Sequence, residues 1–223
     1  MSRYAISDIH GHARTFGALL DRLHFSTADE LFLLGDYIDR GPDSRGVIDK
    51  ILALRAAGYR VHCLRGNHEA MLNAALRDPA ERPLWLHNGG GATVDSYTAA
   101  GYRYPPPAHL SFVDALPRYL ETEGYLLVHA GLRFGGPDPL TDTEALLWLR
   151  DWYADIDYAW LGERTVVHGH TKMSQARIEA QVSRLTLDRV LDIDNGCYSE
   201  RAGMGQLCAF NLDTRELVFQ ARL

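Results

Sequence analysis

Five short segments of the chain combine aspartate, histidine or asparagine with a neighbouring glycine. They are Ser7-Asp8-Ile9-His10-Gly11, Gly35-Asp36-Tyr37-Ile38-Asp39-Arg40-Gly41, Gly66-Asn67-His68-Glu69, Val128-His129-Ala130-Gly131 and Val167-His168-Gly169-His170-Thr171. Carboxylate oxygens, imidazole nitrogens and amide oxygens together suit borderline-hard divalent metals such as manganese, iron(II) or zinc. Any one of these residues could be a turn former or a helix cap, but five such segments indicate a functional site.

Each segment follows a short apolar run of the kind that forms a buried strand. The runs are residues 4–6, 30–34, 61–64, 125–127 and 165–166. In open α/β sheets, sites are built where the strands end and run into turns. We therefore expect the polar residues of these turns to form the site.

In this order the motifs D-x-H-G, G-D-x-x-D-R-G, G-N-H-E, H-A-G and G-H-T resemble the phosphoprotein phosphatase branch of the calcineurin-like metallophosphoesterases. The bacterial Ser/Thr protein phosphatase-like members are the most similar. The motifs run from Asp8 to Thr171, about three quarters of the chain. The resemblance implies an α/β (α+β) fold, a calcineurin-like metallophosphoesterase β-sandwich of two mixed sheets flanked by helices, with residues 1–223 as a single domain.

The resemblance also implies two divalent metal ions, with manganese expected and iron(II) or zinc as alternatives. The ligands implied for the first ion are Asp8, His10 and Asp36, and those for the second are Asp36, Asn67, His129 and His170. Asp36 would bridge the ions, because a bridging ligand needs an anionic group with two oxygens. Two ions about 3.5–4 Å apart can acidify a shared water, and the resulting hydroxide would attack phosphorus in line.

Further residues acquire roles from the same resemblance. Asp39 would hold the imidazole of His68, which would protonate the leaving oxygen. Arg40 and Arg65 would form a phosphate clamp, since a guanidinium group can bind two phosphate oxygens at once. Arg150 resembles a third arginine of the family through a weaker motif, and we expect it to bind substrate.

Two histidines, His168 and His170, lie at the end of the last motif's strand, and strand alternation cannot choose between them because both would face the same way. The family's ligand is the histidine of the G-H-T step, which is His170 here. We expect His168 to support the site from behind or to be an ordinary strand residue.

The predicted activity is that of a metal-dependent phosphomonoesterase, and the main prediction is a Ser/Thr or dual-specificity protein phosphatase. Its substrate would be a phosphorylated protein or a small phosphomonoester. The alternative is symmetrical diadenosine tetraphosphate hydrolysis. That branch typically has Ala in place of Asp39 and Asp in place of Glu69. A phosphodiesterase or nuclease would usually carry a second histidine where Lys172 stands. A non-catalytic binding module is the remaining alternative, and the intact set of ligands, acid and arginines argues against it.

Composition excludes several other classes. The 223 residues, of which 46% are hydrophobic, suit one domain with a sizeable core. The net charge of −6 argues against nucleic acid as a partner. No apolar run approaches the roughly 18 residues that cross a bilayer, and the N-terminus lacks a signal-peptide pattern. We therefore expect a cytoplasmic location without a membrane partner; the sequence leaves the oligomeric state open, and a monomer is compatible with it.

The order of elements predicts a βαβαβα beginning whose first strands are parallel. Residues 78–108 are less regular: they resemble a cap beside the active site in bacterial relatives, or they form a surface excursion without chemistry, with 105–107 as a stiff proline linker. From residue 165 onward the pattern predicts a β-meander of short strands, among them 176–179 and 184–187.

Overall fold

Two β-sheets occupy the centre of the structure, a computed structural model that describes residues 1–223. The strands are β1 (Arg3–Ile6), β2 (Glu30–Leu33), β3 (Arg60–Cys63), β4 (Tyr119–Thr122), β5 (Tyr125–Val128), β6 (Thr165–His168), β7 (Val190–Asp192), β8 (Gln206–Asn211) and β9 (Leu217–Ala221). The first sheet has the order β3-β2-β1-β8-β9 and the second has the order β4-β5-β6-β7. Strands β1, β2 and β3 are parallel, as the sequence predicts, whereas β8 runs antiparallel to β1.

Nine α-helices surround the sheets. They are α1 (Ala13–Arg22), α2 (Ser44–Ala56), α3 (Asn67–Arg77), α4 (Arg82–Trp85), α5 (Gly91–Ala99), α6 (Pro107–Asp114), α7 (Thr143–Trp148), α8 (Tyr158–Leu161) and α9 (Gln175–Asp188). In α1, Phe16, Leu19 and Leu20 recur at helical spacing and are buried. None of the helices combines the length and the apolar character that a membrane span requires.

Both faces of the first sheet are buried, and strand alternation decides which side chain goes to which face. Ile6 and Leu33 pack in the cluster that includes residues of α1 and α2. Ala5 and Phe32 point the other way, into a cluster shared with Leu127 of the second sheet. The predicted architecture of two mixed sheets flanked by helices is therefore confirmed.

The predicted β-meander is wrong between residues 175 and 188, where the chain forms helix α9 instead of two short strands. Ile178, Val182 and Leu185 are spaced four and three residues apart, so they share one face of a helix. Ile178 and Leu185 are buried against the cluster between the sheets. Strands β6 and β7 are parallel, and a parallel pair needs a crossover connection, which this helix supplies.

The segment from 78 to 108 is mostly helical. Helices α4 and α5 are joined by a wider turn at Leu86–Gly90, in which Gly89 adopts a φ of 106°. The backbone N–H of Arg40 donates to the carbonyl of Gly89 at 3.1 Å, so this turn contacts the second polar motif. Pro107 is the first residue of α6 and not the end of a linker. Proline suits this position because the N–H of the first helical residue has no partner within the helix, so its absence costs no hydrogen bond.

Candidate metal centre

The five polar segments meet at one edge of the two sheets. The backbone N–H of His10 donates to the carbonyl of Asp36 at 2.8 Å, and that of Gly169 donates to the carbonyl of His129 at 2.9 Å. Several of the predicted site residues have positive φ angles: Asp8 49°, His10 45°, Asp36 53°, Asp39 71°, Arg40 69° and His170 70°. Residues other than glycine rarely hold this conformation unless the surrounding fold imposes it.

Asp36 lies between two histidine groups. Its Oδ2 is 3.5 Å from Nε2 of His10, and its Oδ1 is 3.5 Å from Nε2 of His129. The Oδ1 atom also accepts a hydrogen bond from the backbone N–H of His68 at 3.0 Å, which fixes the carboxylate orientation. One carboxylate therefore presents an oxygen to each side, as a bridging ligand must.

The first group of donor atoms is arranged around His10. Its Nδ1 donates to the carbonyl of Ile38 at 2.9 Å, so the unprotonated Nε2 faces the carboxylates. The Nε2 atom is 4.0 Å from Oδ1 of Asp8. The other oxygen of Asp8 accepts from the backbone N–H of His170 at 3.0 Å, which ties the first motif to the last.

The second group is arranged around Asn67. Its Oδ1 is 2.9 Å from Nε2 of His129 and 3.0 Å from Nδ1 of His170. The Nδ1 of His129 donates to the carbonyl of Leu34 at 2.8 Å, so in the neutral ring Nε2 carries only a lone pair. That lone pair faces an amide oxygen, and Nε2 of His170 is buried without any hydrogen-bond partner. Hydrogen-bond acceptors that face one another in a buried site have no donor to bind. A cation between them would satisfy their lone pairs.

The electrostatics of the site also fit a cation. Burial, followed by the carboxylates of Asp8 and Glu69, raises the pKa of Asp36 well above its ordinary value. Burial, followed by the charges of His129 and Arg150, lowers the pKa of His170 to about 2. The imidazole of His170 is therefore neutral at pH 7, as metal binding requires, and the buried carboxylates of Asp8, Asp36 and Glu69 repel one another.

The donor atoms form two compact groups that share one residue, and these are named the metal groups. One group contains His10, Asp36 and His68, the other contains Asp36, His129 and His170, and the donor atoms within each group lie within 4.8 Å of one another. With Asp8 and Asn67 beside them, the residues present suit two divalent ions held by oxygen and nitrogen.

The pair of Asp39 and His68 is buried next to these groups. Nδ1 of His68 donates to Oδ2 of Asp39 at 2.7 Å, while its Nε2 is 3.8 Å from Oδ2 of Asp36. The ring is thus oriented by one carboxylate and directs its other nitrogen at the metal groups.

Two residues that the sequence analysis did not single out also bind Asp39. Nε1 of Trp85 donates to both carboxylate oxygens at 2.9 and 3.1 Å, and Oγ1 of Thr93 donates to Oδ1 at 2.6 Å. Both belong to the segment 78–108, which therefore contacts the Asp39–His68 pair directly. The glycine turn between them signals a loop, but nothing in the sequence gives its distance from Asp39.

The three predicted arginines are placed differently. Arg40 lies beside the metal groups, with Nη1 3.4 Å from Nε2 of His10. The charge of Arg150 is close enough to act on His170. Arg65 is directed elsewhere: its Nη2 donates to the carbonyls of Val113 at 3.4 Å and Asp114 at 2.6 Å, at the end of α6. Nη2 of Arg65 is thus bound to carbonyls at the end of α6, while its Nε is buried without a hydrogen-bond partner, and the phosphate clamp of Arg40 and Arg65 stays a prediction.

Tyr198 is a further residue of the site that sequence reasoning missed. Its ring packs edge-on against His10 with centroids 5.0 Å apart, and the guanidinium carbon of Arg40 lies 4.3 Å from its centroid. Its hydroxyl accepts a hydrogen bond from Arg40. A signal was present, because Asp192-Ile193-Asp194-Asn195-Gly196 leads from β7 toward Tyr198 with the same mixture of aspartate, asparagine and glycine.

His168 is satisfied within the protein. Its Nε2 is 2.7 Å from the hydroxyl of Tyr153, and its Nδ1 is 2.9 Å from the carbonyl of Gly169. Of the two neighbouring histidines, only His170 shares Asn67 with His129.

Residues 1–195 match the family described as calcineurin-like phosphoesterase, and the chain belongs to that family. Solved structures share its fold. A candidate diadenosine tetraphosphatase superposes with a TM-score of 0.67 at 20% identity, covering 98% of this chain and 92% of the other. A protein serine/threonine phosphatase from Saccharomyces cerevisiae superposes with a TM-score of 0.62 at 16% identity, covering 99% and 79%.

Curated relatives are closer in sequence. The symmetrical bis(5'-nucleosyl)-tetraphosphatase of Cellvibrio japonicus is 31% identical over 133 residues, which are 59% of this chain and 46% of that protein. The asymmetrical bis(5'-nucleosyl)-tetraphosphatase PrpE of Geobacillus thermodenitrificans is 29% identical over 86% of this chain and 84% of that protein. The alignment thus spans less than half of the first relative and most of the second.

Proposed function

We propose that this chain is a dinuclear metal-dependent hydrolase of dinucleoside tetraphosphates. The observation that carries the metal chemistry is the Asp36 carboxylate, whose two oxygens each lie 3.5 Å from a different histidine. The substrate is supported by the curated relatives, which include both symmetrical and asymmetrical bis(5'-nucleosyl)-tetraphosphatases. These relatives favour the alternative of the sequence analysis over the protein phosphatase.

When bound, two divalent ions supply an acidified water as nucleophile and neutralise charge on the phosphoryl oxygens. The chain holds the donor atoms rigidly, since His10 and His129 are each fixed through Nδ1 by a backbone carbonyl. Arg40, next to His10, can bind the oxygens of the reacting phosphate. His68, oriented by Asp39, can hold or donate a proton at Nε2.

The Asp39–His68 pair favours a second candidate, a phosphomonoesterase that acts on phosphoserine or phosphothreonine. A serine alkoxide is a basic leaving group and needs a proton, whereas a nucleoside phosphate leaves as a stable anion. An anhydride substrate therefore makes little demand on an acid, yet this pair is buried with a 2.7 Å hydrogen bond. Both substrates would use the same metal centre.

The test is a comparison of specificity constants on one preparation of manganese-loaded protein. The substrates are diadenosine tetraphosphate, phosphoserine, phosphothreonine and phosphotyrosine peptides, and a bis-ester. A highest kcat/KM on diadenosine tetraphosphate supports the proposal, and a higher value on a peptide supports the second candidate. The products separate the two modes of cleavage, because symmetrical hydrolysis gives only ADP and asymmetrical hydrolysis gives ATP and AMP.

A further inference from the structure

A cavity of about 340 Å³ opens beside the metal groups. Its wall includes Thr171 and Lys172, which directly follow His170 in the chain, and Arg150, whose charge acts on His170. Arg177, from the first turn of α9, lines the cavity as well. The cavity therefore adjoins the chain segment that carries His170.

The cavity carries an excess of positive charge that the protein does not neutralise. Arg150, Lys172 and Arg177 line it, and Asp151 is the one acidic residue of the wall. Two of these three cations, Arg150 and Arg177, are exposed and therefore available to a ligand. None of the three side chains takes part in a salt bridge, whereas exposed arginines such as Arg77, Arg133 and Arg184 are each paired with an aspartate. Cations held around one cavity without partners create a local field that attracts an anion.

The Lys172 ammonium group adds to this field from the side of the metal groups. Its Nζ lies 4.5 Å from the ring centroid of Tyr198, which also stacks on Arg40. Tyr198 thus holds one cation next to His10 and another at the edge of the cavity. The positive side chains continue from the metal groups into the cavity, as an extended anion would require.

We propose that this cavity binds the phosphate groups of a polyphosphate chain that lie beyond the reacting phosphorus, with Lys172 and Arg177 as binding residues. The inference rests on the proposed function, because it assigns a place to the part of a dinucleoside tetraphosphate that a phosphomonoester lacks. Guanidinium and ammonium groups are the side chains that recognise phosphate oxygens. Trp152 and Met173 also line the cavity and are buried, so the side chains that can bind an anion there are the exposed and half-buried cations.

The test measures equilibrium binding by calorimetry and needs no turnover. Manganese-loaded protein is titrated with orthophosphate and with diimidotriphosphate, whose nitrogen bridges resist hydrolysis, under one fixed concentration of free manganese. The variants are Lys172→Gln and Arg177→Gln. The matched control is Arg184→Gln, which removes a cation from the same helix at a position where Arg184 is paired with Asp188.

We expect each cavity variant to weaken diimidotriphosphate binding about three- to fivefold relative to orthophosphate binding, as for one partly exposed ion pair. Arg177→Glu should weaken it further, and the control should keep the ratio of the unmodified protein. An unchanged ratio in both cavity variants would overturn the inference. Binding is measured directly, so its outcome is independent of hydrolysis. If the protein does not hydrolyse diadenosine tetraphosphate, weaker binding in the cavity variants would still confirm phosphate binding in the cavity. If it does hydrolyse that substrate, an unchanged ratio would still contradict phosphate binding in the cavity.

Discussion

Asp36 is the residue whose carboxylate reaches both histidine groups. In Asp36→Asn one oxygen becomes an amide nitrogen that cannot bind a cation, so both metal sites should weaken and activity should fall at least about 100-fold. Metal analysis after gel filtration and a turnover assay check this result. Asp95→Asn, an exposed change on α5, is the control. Two retained ions with full turnover in Asp36→Asn would exclude the bridging role.

His68 is oriented by Asp39 and directs its Nε2 at the metal groups. His68→Asn should keep both ions and lose about 10²- to 10⁴-fold in turnover where the leaving group is a basic alkoxide, the usual range for acid catalysis. The loss should be much smaller for diadenosine tetraphosphate or a nitrophenyl ester, whose leaving groups need little protonation. Equal losses on phosphoserine and the nitrophenyl ester would speak against His68 as an acid.

His170 and His168 are two residues apart and have different surroundings. His170→Ala removes an imidazole that shares Asn67 with His129, so it should strip one ion and abolish activity. His168→Ala removes a ring bonded to Tyr153 and should keep both ions and most activity. Metal content measured per protein molecule decides between them, and the reverse pattern would show that His168 is the ligand.

At the scale of elements, the helices α4 and α5 supply two of the donors that hold Asp39. Thr93→Val keeps the shape of the side chain and removes its hydroxyl, so we expect about a tenfold loss of turnover with both ions retained, since groups that orient a catalytic residue typically contribute 10- to 100-fold. The loss should follow the pattern of His68→Asn across leaving groups. Thr98→Val, on the exposed side of the same helix, should have no effect. A uniform loss across all leaving groups would indicate a purely structural role for Thr93.

The motif turns could be predicted from the sequence because their signals are local. A short apolar run followed by glycine and a polar residue marks the end of a strand, and β1, β2 and β3 lie where this pattern predicts them. Helix α9 was missed because its three apolar residues are spread over an otherwise polar segment, in which short alternations imitate strands. The need for a crossover between β6 and β7 becomes visible only when their parallel pairing is known.

The placement of side chains from distant parts of the chain could not be predicted. Trp85 and Thr93 bind Asp39 across 46 and 54 residues, and the direction of Arg65 depends on where α6 ends. No local pattern encodes such distances. The clustering of Asp8, His10, Asp36, Asn67, His129 and His170, by contrast, was predictable because each lies in one of five motifs that follow strands in a recognisable order.

At the scale of the whole molecule, metal binding and stability are coupled, because ions that bind only the folded chain stabilise it. At 100 times the dissociation constant, each ion should raise the midpoint of thermal unfolding by about 5–10 °C for a chain of this size. Scanning calorimetry with manganese and after chelation measures the difference. Asp36→Asn should show little response to added manganese. If the unmodified protein unfolds at the same temperature with manganese and after chelation, that result would contradict a metal centre in the folded state.

The hydrogen bond from the backbone of His170 to Asp8 joins residues 162 positions apart. A ribosome releases the chain from its N-terminus, so Asp8, His10 and Asp36 emerge long before His129 and His170. The early part of a nascent chain can pair its first three strands but holds only some of the metal ligands. Filling of the proposed two-metal centre would therefore be a late event in the biosynthesis of this protein, after the synthesis of β6.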